Sequence, residues 1–142
     1  MKTVVANAKE IKRDWYIVDA ADKIVGRLAS TLAGVLIGKG KPAYSPNQDH
    51  GDYIIVINAD KVKLSGKKAE QKTYFSHSMY PGGQKHRPFK EQMEKDSTKV
   101  IIHAVRGMVP KTILGRDIMR KLHVYSDANH PHVAQQPKNL SI

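Results

Sequence analysis

The basic residues between positions 105 and 122 are the strongest indication of chemistry in this sequence. Val105-Arg106-Gly107-Met108-Val109-Pro110 ends an apolar helical pattern with glycine and proline, and the chain then enters a basic loop and a second basic segment. Asp117 is the only carboxylate in this stretch, so internal ion pairing cannot neutralise its cations. Those cations are Arg106, Lys111, Arg116, Arg120 and Lys121. The pattern favours contact with a polyanion, and we interpret it as a nucleic-acid signal.

Two glycines strengthen this interpretation. Gly107 and Gly115 carry no side chain, so backbone N–H groups beside them can approach a phosphate closely. Helix N-termini add partial positive charge of the same kind. We therefore predict phosphate contacts from this segment, with Gly115 among them. A charged surface that only faces solvent is the alternative.

A second candidate runs from Tyr74 to Arg87, where aromatic residues alternate with cations around a glycine loop. Aromatic rings can stack on exposed bases while cations hold the backbone, which is how many proteins bind irregular RNA. The predicted contacts are His77, Tyr80, Gly82, Gly83, Lys85 and Arg87. The alternative for Tyr74 and Phe75 is a place in the core on a strand, which we expect for at least one of them.

Gly38-Lys39-Gly40-Lys41-Pro42 superficially resembles a phosphate-binding loop. It lacks the Walker spacing and follows a helix where a Walker loop would precede one, so nucleotide hydrolysis is not predicted. We interpret the segment as a flexible, basic helix C-cap. Lys39 and Lys41, together with Lys67 and Lys68 after the turn at Ser65-Gly66, complete the predicted RNA contacts.

Neither a metal site nor a catalytic site is predicted. The closest pair among the seven histidines is His130-Pro131-His132, and one pair without an acidic or thiol ligand cannot close a tetrahedral site. The residues able to do acid–base or nucleophilic chemistry form no local signature. They are Ser45, Asp49, His50, Asp52, Ser65 and His77. A triad assembled in space stays open at this point.

Composition agrees with a nucleic-acid partner. The 142 residues carry a formal net charge of +11, and residues 61–142 contribute +10 of it.

No apolar run approaches the roughly 18 residues that a membrane span needs, and the N-terminus reaches Lys9-Glu10 too early for a secretory signal. The absence of cysteine excludes disulfides and thiolate chemistry. We expect one domain over residues 1–142, in the cytoplasm, with neither a membrane partner nor a small-molecule substrate.

Hydrophobic periodicity predicts an α/β fold. Trp15-Tyr16-Ile17-Val18 and Ile54-Ile55-Val56-Ile57 read as buried strands, and the apolar positions from Val25 to Leu36 form an amphipathic helix between them, with Asp22 as its N-cap. Such a βαβ unit implies parallel strands. Further predicted elements complete the chain. They are an edge strand at Val62 and Leu64, a strand at 73–75, a helix from Ser97 or Thr98 to Pro110, a short helix at 116–121, a strand at 122–125 and an extended tail at 126–142.

The order of motifs closely resembles the ribosomal protein thirteen family of the large ribosomal subunit, in its bacterial form. The motifs are Asp14-Trp15-Tyr16 with Val18-Asp19-Ala20, Gly26-Arg27-Leu28-Ala29, Gly51–Ala59, Tyr80-Pro81-Gly82-Gly83, Gly107-Met108-Val109-Pro110 with Leu114-Gly115-Arg116, and His130-Pro131-His132 with Ala134-Gln135. Met79 stands where many members have glycine.

The resemblance implies a three-layer α/β/α domain with a four-stranded, mostly parallel (mixed) sheet, basic loops, an N-terminal extension at 1–13 and the extended tail. It implies a structural constituent of the 50S subunit that binds 23S ribosomal RNA, contacts neighbouring large-subunit proteins and helps early assembly. It implies no enzyme activity and no cofactor, and it leaves messenger RNA binding open. Two alternatives belong to other classes, namely a free-standing RNA- or DNA-binding regulator and a small nucleotide-dependent enzyme on a doubly wound sheet.

Overall fold

The computed structural model describes residues 11–142 and has an α/β fold built on a four-stranded sheet. The sheet order is β5-β2-β1-β6, and all three pairings are parallel. A separate two-stranded antiparallel sheet is formed by β3 and β4. The strands are β1 (Trp15–Asp19), β2 (Tyr53–Ile57), β3 (Thr73–His77), β4 (Gln84–Pro88), β5 (Leu122–Val124) and β6 (Lys138–Asn139). The helices are α1 (Val25–Ile37), α2 (Lys68–Gln71), α3 (Phe89–Asp96), α4 (Thr98–Met108) and α5 (Ile113–Met119), with a 3-10 turn at Ala59–Lys61.

The predicted βαβ unit is confirmed. β1 pairs with β2 in parallel over five residue pairs, from Trp15 opposite Tyr53 to Asp19 opposite Ile57. Helix α1 connects them and packs against α4. Because both helices turn an apolar stripe towards the sheet, the core lies between the helices and one sheet face. Its fully buried side chains are Val18, Leu28, Leu32, Leu36, Ile54, Val56, Val100, Ile101 and Val105.

The second face of the sheet carries aromatic side chains. The rings of Trp15 and Tyr53 stack at 4.4 Å between centroids, and His123 stacks on Trp15 at 5.6 Å. His132 of the tail lies 5.2 Å from Trp15, and its Nε2 is 2.8 Å from the hydroxyl of Tyr125. The tail therefore covers this face at the aromatic cluster.

The C-terminal tail also adds a strand to the sheet. β6 pairs in parallel with β1, and the Leu140 amide donates to the carbonyl of Ile17 at 2.9 Å. The prediction of an extended tail is thereby confirmed. Pairing through backbone groups does not need apolar side chains, which is why the polar pair Lys138-Asn139 gave no strand pattern.

Several local predictions were wrong. Asp22 does not cap α1; it adopts φ +59° in the preceding turn, its carboxylate pairs with Lys63, and Ile24 occupies the N-cap. Val62 and Leu64 alternate in burial with their lysine neighbours as expected, but this segment makes a single bridge to Ile24 and no strand. The predicted strand at 73–75 is confirmed and extended as β3.

Besides β6, the elements α2, α3 and β4 were missed because they are short or polar. The last three residues of the predicted N-terminal extension, 11–13, are described without regular structure; residues 1–10 lie outside the described range.

Candidate nucleic-acid interface

A pocket of about 540 Å³ lies between the end of α4 and the helix α5. Helix α4 ends at Met108, and Pro110 turns the chain towards α5. The pocket has apolar walls and a basic rim. Its lining residues are Ile102, Arg106, Val109, Pro110, Lys111, Thr112, Gly115, Arg116, Met119 and Leu122. The structure thus brings four of the sequence-predicted contacts together in one place.

Three cations at this pocket are free of carboxylate partners. Arg106, Lys111 and Arg116 are exposed, and within residues 11–142 no Asp or Glu oxygen lies within 4.0 Å of any of them. Among the residues that the structure describes, no acidic side chain lines the pocket. The positive potential here is therefore not neutralised from within the described chain, and it is available to an external anion.

Gly115 lines this pocket and is needed for helix packing, whereas the sequence suggested that its backbone N–H contacts phosphate. Its amide donates to Thr112 Oγ1 at 3.2 Å as the N-cap bond of α5, and the residue is buried. A Cβ at this position would lie 1.8 Å from the carbonyl oxygen of Pro110. Gly115 therefore allows α5 to pack against the end of α4, and its N–H is used within the protein. Contact of Gly115 with phosphate stays a prediction.

Lys121 is held by contacts within the protein, and an RNA contact at this residue stays a prediction. Its side chain is 5% exposed, and Nζ lies 2.5 Å from Asp49 Oδ1 while donating to the carbonyl of Leu36 at 3.1 Å. Leu36 belongs to the last turn of α1, whose carbonyls lack helical partners, so the ammonium satisfies that helix end. Burial lowers the pKa of Lys121, and Asp49 opposes that shift.

A second, partly buried ion pair lies beside the first. Lys41 Nζ lies 2.5 Å from Asp52 Oδ1 and donates to the carbonyl of Lys12 at 3.0 Å. The Asp52 carboxylate also accepts from the amide of Asp14 at 2.9 Å. Lys41 is thus engaged inside the protein. Asp49 and Asp52, considered as acid–base residues from sequence, are both occupied by lysine partners.

Gly51 makes room for this polar cluster. A Cβ on Gly51 would lie 1.6 Å from the Leu36 carbonyl oxygen and 2.6 Å from Lys121 Nζ. His50 beside it is 1% exposed, with Nε2 3.3 Å from Ser45 Oγ. The cluster joins the end of α1 to the starts of β2 and β5. Sequence reasoning missed it because its partners are 72 and 11 residues apart.

The β3–β4 hairpin carries the second candidate surface. Phe75, Met79 and Tyr80 are 62%, 89% and 75% exposed, an unusual share of apolar area for one hairpin. Phe75 also contacts the imidazoles of His77 and His86, at 6.5 and 5.3 Å between ring centroids. The exposed ring faces are suited to stacking on bases.

Tyr74 occupies the opposite face of the hairpin and packs against the core, as expected for one of the two aromatic residues. Its ring meets His103 of α4 edge-on at 5.6 Å, and burial raises its pKa. Arg87 is also engaged, since Nε donates to Glu91 Oε1 at 3.0 Å and a terminal nitrogen donates to the buried Gln92 at 3.1 Å. Both residues fix the hairpin to α3 and α4.

The hairpin loop depends on unusual backbone angles. Met79 and Gly82 adopt φ +69° and +73°, which glycine tolerates and methionine rarely does. A Cβ on Gly83 would meet Ser78 Oγ at 2.0 Å, so that glycine is needed for the loop to close.

The remaining predicted contacts are separate exposed cations. Lys39 follows the C-cap Gly38, whose φ of +84° confirms the predicted helix end. Lys67 and Lys68 are exposed at the start of α2, and Lys85 is exposed on β4. Arg120 is 82% exposed with its guanidinium 3.2 Å from Asp117, a surface pair that an external phosphate can replace.

No group of three or more histidine, cysteine or acidic residues within positions 11–142 is arranged to hold a metal ion. Over the same range, no helix has both the length and the apolar character to cross a membrane.

Comparison with known proteins gives one consistent family. The model of the family "Ribosomal protein L13" matches residues 13–131. The large ribosomal subunit protein uL13 of Lachnospira eligens is 57% identical over 140 residues, which cover 99% of each chain. The uL13 protein of Gemmatimonas aurantiaca is 54% identical over 142 residues, 99% of this chain and 95% of the relative. That of Stutzerimonas stutzeri is 53% identical over the full length of both.

Proposed function

The chain belongs to the ribosomal protein L13 family of the large ribosomal subunit, and from that premise we propose that it binds large-subunit ribosomal RNA through the α4–α5 pocket and the β3–β4 hairpin. We propose further that it forms one domain, contacts neighbouring ribosomal proteins in the cytoplasmic ribosome and helps the subunit to assemble. Its role there is structural, without an enzymatic step.

The unpaired cations at the α4–α5 pocket carry this proposal. Arg106, Lys111 and Arg116 are held close together by two helices and their connection, and no described carboxylate neutralises them. Phosphates that converge in folded RNA repel one another, and such a cluster offsets that repulsion while releasing condensed counterions. Binding should therefore weaken steeply as salt rises.

The hairpin supplies a different kind of contact. Phe75 and Tyr80 expose ring faces, and Lys85 lies on the neighbouring strand. Stacking on unpaired bases depends little on salt, so it complements the phosphate contacts of the pocket. Together the two surfaces suit an RNA with both closely packed backbones and unpaired bases.

Sedimentation of ribosomal subunits tests the proposal. A tagged copy of the chain is expressed in bacteria, and the large-subunit fraction from a sucrose gradient is washed in high salt. Stoichiometric retention supports an integral ribosomal role. A pool that is free or released by salt would instead favour an RNA-binding regulator outside the ribosome.

A charge-matched pair of variants tests whether the α4–α5 pocket contacts the RNA. One variant combines Arg106→Gln, Lys111→Gln and Arg116→Gln; the control combines Lys90→Gln, Lys95→Gln and Lys99→Gln, which removes the same charge from α3 and the start of α4. Affinity for large-subunit ribosomal RNA is then measured against salt. Each lost phosphate contact should reduce the slope of log K against log salt by about 0.7–0.9, or about 2–3 for the first variant. Equal slopes of log K against log salt for the two variants would show that the pocket is not part of the RNA interface.

A further inference from the structure

We propose that the pocket between α4 and α5 receives a single unstacked nucleotide, with its base against the apolar walls and its flanking phosphates on Arg106, Lys111 and Arg116. This inference rests on the proposed RNA-binding function and adds a specific kind of RNA feature to it. A paired duplex presents its phosphates outward and keeps its bases stacked, so it could use the rim and leave the interior empty.

The walls of the pocket are apolar and already ordered. Val109 and Leu122 are 4% and 8% exposed and belong to the core, while Ile102 and Met119 are half-buried and pack against it. Because these residues are fixed by the core, the cavity does not have to be formed when a ligand arrives. A volume of about 540 Å³ also lies within the roughly 300–1,000 Å³ typical of small-ligand sites.

The basic rim and the apolar walls would each bind a different part of the same ligand. The three cations come from three successive segments: Arg106 from α4, Lys111 from the connection and Arg116 from α5. A ligand that satisfies them must be flat and weakly polar at its centre and anionic at more than one point around it. A nucleotide within an RNA strand has this pattern, because phosphates flank its base on both sides.

An acidic peptide with an apolar side chain is the rival occupant. The nucleotide is favoured because phosphates lie on both sides of its base, which fits a rim whose three cations come from three successive segments. It is also favoured because residues 61–142 carry a net charge of +10, which suits a partner with one charge for each nucleotide.

Site-specific photocrosslinking identifies what enters the pocket. The diazirine analogue photo-methionine is close to methionine in size and leaves the pocket open. It replaces methionine in the chain, and crosslinks are mapped at position 119, and at position 102 in an Ile102→Met variant, in large subunits assembled in the cell. A crosslink from either position to a ribosomal RNA nucleotide that is unpaired in the wild-type subunit supports the proposal. Crosslinks only to another protein, only to paired RNA, or to no molecule in assembled subunits would overturn it.

Filling the pocket gives an independent test. Met119→Trp occupies the cavity without changing charge, and Ile102→Trp provides a second version if the first fails to fold, as judged by thermal unfolding. Affinity for full-length large-subunit ribosomal RNA should fall about tenfold, the effect of losing one base contact, with an unchanged salt slope.

The outcomes separate this inference from the proposed function. If wild-type and filled variants bind the RNA equally well, the nucleotide site is wrong while RNA binding stands. If the wild-type chain shows no salt-dependent binding to the RNA, the proposed function fails, and this inference fails with it.

Discussion

Replacing Lys121 should reduce stability strongly and leave the salt dependence of RNA binding unchanged. The sequence shows Lys121 beside Arg120 in a basic segment, whereas the structure buries its ammonium against Asp49 and the Leu36 carbonyl. Lys121→Met keeps most of the length and the apolar stem of the side chain and removes the ammonium, with its charge and its hydrogen bonds. The variant leaves Asp49 with the more distant Arg13, 3.7 Å away, and leaves the Leu36 carbonyl without this donor.

The magnitude follows from these contacts. Removing one partner of a buried ion pair costs about 3–5 kcal/mol. Asp49 is 17% exposed and keeps contact with water, so we expect a value at the lower end, about 3 kcal/mol. For a chain of this size that corresponds to a Tm lower by about 10 °C. Urea unfolding followed by circular dichroism measures the change, provided that the slope m stays constant.

A double variant separates the charge from the packing. Asp49→Asn keeps the side-chain oxygen that accepts from the Gly51 amide at 3.1 Å and removes the orphaned charge. Lys121→Met with Asp49→Asn should therefore recover at least about 1 kcal/mol of the loss. The reasoning is refuted if Lys121→Met unfolds within about 0.5 kcal/mol of wild type, or if it lowers the RNA salt slope by about one contact.

Three further predictions address other parts of the molecule. Gly115→Ala should destabilise the protein by about 1–3 kcal/mol in urea unfolding, because its Cβ would meet the Pro110 carbonyl. Gly107→Ala should stabilise it by about 0.5–1 kcal/mol, because Gly107 lies in α4 with open space around it. Equal effects of the two substitutions would contradict the packing argument. Burial and the neighbouring His132 lower the pKa of His123 in the folded protein. As pH drops, the unfolded chain therefore binds a proton at His123 at a higher pH than the folded protein does. The free energy of unfolding should then decline below about pH 6.5. His123→Asn should flatten this decline in urea titrations at several pH values, and an unaltered pH dependence would exclude His123 as its source. Tyr80→Ala should leave Tm within about 2 °C but weaken RNA binding by about 1–3 kcal/mol in a filter-binding assay, whereas unchanged affinity would exclude stacking there.

The regular elements with strong apolar periodicity could be predicted from the sequence. β1, α1 and β2 were all expected, because their apolar residues recur at the spacing that one buried face requires. α3 and β4 were not expected, since both carry mostly polar residues and therefore show no apolar periodicity. They are held by neighbouring elements, because β4 pairs with β3 and α3 packs against α4. A two-residue strand such as β6 leaves no periodic pattern at all.

The candidate site was predicted only in part for a related reason. Arg106, Lys111 and Arg116 could be identified because their neighbours in sequence offer a single carboxylate, and the structure leaves all three without a described partner. Lys121 could not be distinguished from them, since its partner Asp49 lies 72 residues away. The partner of Arg87, in contrast, is close in the sequence. Glu91 follows Arg87 by four residues, and the start of α3 at Phe89 brings the two side chains together. The apolar interior of the pocket gave no signal, because its residues read as ordinary core.

The pairing of β6 with β1 affects the order in which a growing chain can fold. β1 and β6 are the first and last of the described strands, so the outer edge of β1 stays open until residues 138–139 have been synthesised. Until then the nascent protein exposes unpaired N–H and C=O groups along Tyr16 and Ile17, a template on which another chain can pair. A translation product that stops before residue 138 would keep this edge unpaired, and one that stops before residue 132 would also lack the His132 ring beside Trp15. Completion of the chain is therefore what turns an aggregation-prone intermediate into a protected one.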